Sequence, residues 1–122
     1  MSSVGHLGEI VIDVSAPDVD HLVGFWCSLL GVTVDARDAE WIDLTPQHPD
    51  APHLSFQVVP EPKAVKNRVH LDVYVDELGR ATEAAEALGA TLLGDAVQEE
   101  DSRFQVLADP AGNEVCLVEW ST

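Results

Sequence analysis

The two halves of this chain run through the same succession of hydrophobic patterns, and that repeat limits the fold more than any other property of the sequence. The first half opens on Gly8-Glu9-Ile10-Val11-Ile12-Asp13-Val14, a β-branched run that reads as a strand. Asp18 then precedes Leu22, Val23, Phe25, Trp26, Leu29 and Leu30, whose spacings of three and four define one buried helical stripe. Gly31 stands where a helix ends on a left-handed residue. Residues 32–34 and 41–44 are expected as short strands around a polar turn at Asp35-Ala36-Arg37-Asp38, and a loop from Pro46 to Pro52 leads to a fourth strand at 53–59. The second half repeats this order. Residues 69–75 read as a strand and Asp76 as an N-cap, followed by a stripe of Leu78, Ala81, Ala84, Ala85 and Leu88 closed by Gly89. Residues 91–93, 104–108 and 114–119 are strand-like. Placing Glu9 on His70 also places Val14 on Val75. The economical reading is an α+β chain, one domain over residues 1–122, made of two βαβββ modules at about 6–59 and 67–120. Short links make the last three strands of each module an antiparallel meander.

Charge narrows the partners. Acidic residues outnumber Lys and Arg 22 to 6, giving a formal net charge of −16. Phosphates are repelled by such a surface, so nucleic acid is not an expected partner, and an anionic membrane is disfavoured for the same reason. No apolar run is long enough to span a bilayer, and no charged-then-apolar leader opens the chain. Cys27 and Cys116 are too few for a disulfide framework and fit a reducing compartment. The expectation is an acidic, soluble, cytoplasmic domain.

Local wording adds a family. The end of the first helix, Phe25-Trp26 followed by Leu29-Leu30-Gly31, the stretch Asn67-Arg68-Val69-His70-Leu71-Asp72-Val73, and the turn-plus-strand Asp109-Pro110-Ala111-Gly112-Asn113-Glu114-Val115-Cys116-Leu117 together resemble the vicinal oxygen chelate superfamily. This is also called the glyoxalase/bleomycin-resistance/dioxygenase superfamily. More narrowly, Val59-Pro60-Glu61-Pro62-Lys63 ahead of an Asn-Arg-x-His stretch is similar to an actinobacterial glyoxalase-like subgroup. The resemblance runs from about residue 6 to residue 120. It implies two βαβββ modules whose mixed sheet curls around a cleft, usually in homodimers. It implies no single reaction, because such relatives include lyases, epimerases, dioxygenases, thiol transferases and non-catalytic drug binders.

Strand alternation says which side chains face that cleft, since successive residues point to opposite faces of a sheet. With Ile10, Ile12 and Val14 turned to the helix, Glu9, Val11 and Asp13 face away from it. The same reasoning leaves His53, Ser55 and Gln57 on the fourth strand and His70, Asp72 and Tyr74 on the fifth. On the last strand it leaves Glu114, Cys116 and Val118. A concave face lined by these polar residues suits a small-molecule ligand.

In metal-dependent relatives each module supplies two ligands, and the resemblance carries those places onto Glu9, Ser55, His70 and Cys116. Glu9, His70 and Cys116 are competent donors, so a divalent metal with an open position is one reading. Ser55 is a poor ligand, and the set is incomplete. The other reading is a hydrogen-bonded Glu9–His70 pair that serves as a base without metal.

The remaining candidates are plainer. Trp26 belongs to the core by its spacing; Trp41 and Trp120 either pack or stack on a flat ligand. Cys27 reads as an inert thiol. His6, His21 and His48 read as solvated. Lys63, Lys66 and Arg68 either bind an anionic group or pair with acids across a dimer contact. Three function classes stay open: a glyoxalase-type lyase or isomerase, a drug-sequestering binder of the bleomycin-resistance kind, and a small-molecule-binding module without turnover. The leading expectation is small-molecule binding without a complete metal-ligand set.

Overall fold

The computed structural model describes residues 7–67 and 69–121, so His6 and Arg68 lie outside the described residues. The chain divides into two compact units between Pro62 and Lys63.

Unit 1 carries strand β1 (Glu9–Ser15), helix α1 (Val19–Leu30) and strands β2 (Val34–Arg37), β3 (Trp41–Leu44) and β4 (His53–Val59). Their order across the sheet is β1-β4-β3-β2. β1 runs parallel to β4, with Glu9 opposite His53 and Val11 opposite Ser55. β2, β3 and β4 form the expected antiparallel meander. Most of the stripe read from spacing is the buried side of α1: Leu22, Val23, Phe25 and Trp26 are buried and Leu29 and Leu30 half-buried, with Val14, Ile42, Leu44 and Phe56 buried on the sheet side. Phe25 and Trp26 meet edge to face at 5.6 Å. Gly31 ends the helix at φ 68°, a conformation only glycine adopts without strain.

One turn lies elsewhere than expected. Residues 35–37 are strand, and the hairpin turns at Asp38 instead. The Asp38 carboxylate accepts the backbone N–H groups of Glu40 (2.8 Å) and Trp41 (3.0 Å), which fastens the turn there.

Unit 2 carries β5 (Leu71–Tyr74), α2 (Leu78–Ala87), β6 (Thr91–Leu92), β7 (Val97–Gln98), β8 (Ser102–Ala108) and β9 (Glu114–Trp120). The order is β5-β9-β8-β6, with β7 also paired to β8. β5 is parallel to β9 and β8 antiparallel to it. The core is Leu78 and Ala85 of α2 with Leu107, Val115 and Leu117 of the sheet. The final turn is built as its residues suggest. The buried Asp109 carboxylate accepts the N–H groups of Ala111 and Asn113, and Gly112 supplies φ 90°.

Three further features differ from the sequence reading. The strand expected to begin at residue 69 begins at Leu71, leaving His70 exposed ahead of it. α2 is capped by Glu77, not Asp76: the Glu77 carboxylate accepts from the N–H groups of Gly79 and Arg80. The two-residue β7 was not foreseen, being too short to show a period. Among the described residues the strands form two sheets, of four and five strands. No helix among these residues is long and apolar enough to cross a membrane.

Candidate functional site

The face of the unit 1 sheet turned away from α1 is set by alternation, and it gathers the polar residues expected there. β1 contributes Glu9 and Asp13, both exposed; β4 contributes the half-buried His53, the fully buried Ser55 and the exposed Gln57. β3 adds Trp41 and Asp43, because Ile42 and Leu44 are consumed by the core. In register, Asp43 stands opposite Ser55, and Ser55 stands beside Val11 on β1.

These contacts converge on one hydroxyl. Ser55 Oγ lies 2.6 Å from Asp43 Oδ1 and 3.0 Å from Glu9 Oε1. Trp41 Nε1 donates to the same Asp43 oxygen at 2.6 Å. The donors from Ser55 and Trp41, with a further side-chain hydrogen bond to Glu9, outweigh burial and hold the Asp43 carboxyl below its ordinary range. His53 Nδ1 lies 2.8 Å from the Leu44 carbonyl oxygen. A carbonyl only accepts, so that nitrogen carries the hydrogen and Nε2 is left as the acceptor in the neutral ring. Asp43 was missed by sequence reasoning. The signal was present, since apolar Ile42 and Leu44 at alternate places force Trp41 and Asp43 onto the opposite face.

The equivalent face of unit 2 presents Asp72 and Tyr74 from β5 and Glu114, Cys116 and Trp120 from β9. Cys116 stands opposite Asp72. Burial, reinforced by the Asp72 charge, pushes its thiol up to about 11. Cys27 is likewise raised by burial.

Glu114 is engaged by the segment that opens unit 2. Its carboxylate accepts from Asn67 N–H (3.1 Å) and faces Lys63 Nζ at 3.4 Å, while Lys63 Nζ also donates to the Val65 carbonyl. Burial disfavours the charged Glu114 carboxylate, but these donors outweigh it and leave its pKa lowered. Lys63 therefore pairs with an acid of its own unit.

The donors implied for a metal fit one poorly. Ser55 is occupied by two carboxylates, and the high thiol pKa of Cys116 opposes the thiolate a metal needs. Among the described residues no three His, Cys, Asp or Glu side chains gather to hold a metal ion.

The glyoxalase-like domain family model matches residues 9–118 of this chain. No curated protein is significantly similar to it. Its fold is similar to that of a glyoxalase/bleomycin resistance protein/dioxygenase family enzyme from Burkholderia phytofirmans PsJN, with a TM-score of 0.76 and 18% identity over 95% of this chain and 99% of that one. A glyoxalase-related enzyme from Fulvimarina pelagi gives a TM-score of 0.76 at 16% identity, covering 95% of this chain and 88% of that one. A glyoxalase/bleomycin resistance protein/dioxygenase from Nocardioides gives 0.74 at 15%, covering 99% and 87% respectively.

Proposed function

Since this chain belongs to the glyoxalase-like domain family, within the vicinal oxygen chelate superfamily, we propose that it binds a small polar molecule on the open face of the unit 1 sheet, through Glu9 and Asp43, which the buried Ser55 holds together, without a metal. One observation carries this reading: two carboxylates converge on a single hydroxyl. A hydroxyl has one proton, and the shorter contact, to Asp43, takes it. The Glu9 carboxylate, exposed on the same face, then keeps acceptor capacity for a further donor. A ligand bearing an N–H or O–H group supplies one and gains a charge-assisted hydrogen bond. The half-buried ring of Trp41, held by its bond to Asp43, offers an apolar wall beside it. The net charge of −16 favours a neutral or cationic ligand over an anionic one.

The same proposal has the protein act as a cytoplasmic homodimer and places it in the actinobacterial glyoxalase-like subgroup. The two free thiols fit a reducing compartment, and the wording from Val59 to His70 supports the subgroup.

A thermal-shift screen of small polar metabolites, amines and polyols included, tests the reading, with elemental analysis of the purified protein alongside. Affinity for a hit is expected to fall about tenfold or more in Glu9→Gln and in Asp43→Asn. Unchanged affinity in both variants, or stoichiometric metal required for binding, overturns it.

A further inference from the structure

β5 and β9 bring two large aromatic rings to the open face of unit 2, where the core does not use them. Tyr74 stands opposite Val118 in the parallel pair, and Trp120, two residues further on, shares the face of Val118. The rings meet edge to face, with centroids 5.9 Å apart and planes at 81°. Tyr74 is nevertheless 69% exposed and Trp120 51% exposed. A single exposed aromatic needs no explanation, but two at right angles, locked by their mutual contact, make two walls of an open corner.

The charges around the corner are of one sign. Asp72 is exposed on the same face of β5 as Tyr74. The turn Glu99-Glu100-Asp101 is exposed along its length and is tied beside Trp120 by the Ser121 N–H bond to the Asp101 carbonyl, 2.9 Å. Arg103, the basic residue of β8, is directed to Glu119 at 3.7 Å. Glu119 in turn accepts the Leu78 N–H at the start of α2, which places that pair on the helix side of the sheet.

We infer that Tyr74 and Trp120 form a binding corner for an organic ammonium group. The negative faces of the rings attract a cation, and the surrounding carboxylates add longer-range attraction. Methyl groups on nitrogen are desolvated easily against the rings, whereas a small inorganic cation would have to give up a tightly held water shell. A quaternary or tertiary alkylammonium is therefore preferred over both a metal cation and a neutral alkyl group of the same shape. The corner uses none of the residues of unit 1, so its test stands apart from that of Glu9 and Asp43.

Choline and its uncharged carbon isostere, 3,3-dimethylbutan-1-ol, separate charge from shape. The intact protein is titrated with each, following Tyr74 and Trp120 signals by NMR and affinity by ligand-observed NMR. Choline is expected to bind with millimolar affinity and to shift both residues, and the alcohol to bind about tenfold more weakly. Tyr74→Leu and Trp120→Leu, both at exposed positions that leave the core intact, are each expected to weaken choline binding at least about threefold; Asp72→Asn weakens it less. Equal affinity for choline and the alcohol overturns the assignment. So does wild-type choline affinity in both leucine variants, or choline shifts confined to residues away from the corner.

Discussion

Asp43 and Ser55 face each other directly across β3 and β4, and the serine hydroxyl, wholly inaccessible to solvent, donates to the aspartate across 2.6 Å. The hydroxyl thus joins carboxylates from β3 and β1 while standing on the strand between them. Ser55→Ala removes this bridge and leaves Asp43 with Trp41 as its side-chain donor. The expected loss is about 1–3 kcal/mol, read as a lower denaturant midpoint at unchanged slope. A variant as stable as the parent would show that the bridge contributes nothing to holding the strands.

The cap on α2 has a pH signature. Backbone N–H groups of Arg80 and Gly79 lower the Glu77 carboxyl below its ordinary 4.5. A group whose pKa is depressed on folding adds stability above its unfolded value, and that stability is lost as the pH falls through the folded value. Glu77→Ala is therefore expected to melt below the parent at pH 7, and the gap to close as the pH falls below about 4.5. Melting curves across that range check it; a gap independent of pH would remove the carboxylate from the cap.

Register on β9 and β5 sets the effect of charge. Leu117→Asp places an unpaired carboxylate in the core of unit 2 and is expected to unfold it, at a cost of several kcal/mol. Asp72→Ala, on the exposed face, is expected to change stability by about 0.5 kcal/mol or less. Circular dichroism melts of the two distinguish the faces, and the reverse order would mean a strand shifted by one residue.

A homodimer is expected in solution. Among the described residues β1 pairs within its sheet to β4 alone and β5 to β9 alone, and Leu7, Val65 and Val69 hold apolar side chains largely in water. Covering such edges and side chains with a second copy removes an aggregation hazard. Light scattering at micromolar concentration should give twice the chain mass; a monomer would refute the expectation.

What could be read in advance follows the range of the forces involved. Helix stripes and strand alternation are local consequences of two backbone periods, so α1, α2 and the faces of β1, β4, β5 and β9 were legible from residue order. Corrections cluster where a side chain chooses among nearby backbone partners. Asp38 rather than the 35–38 run makes the hairpin turn, and Glu77 rather than Asp76 caps α2, because those carboxylates reach two N–H groups each. Neighbouring acids have the same composition, and only chain geometry separates them.

By itself, the sequence determined that there are two βαβββ modules, the greater part of each core and most of the polar residues on the open faces, Asp43 excepted, since these follow from spacing. Tertiary structure decided the partners. It brought Asp43, Glu9 and Ser55 together from three strands, directed Lys63 and Asn67 to Glu114, and set Tyr74 against Trp120. Such pairings depend on strand order and register, and hydrogen bonds and ring contacts between residues tens of positions apart exist only once the sheet has put them side by side.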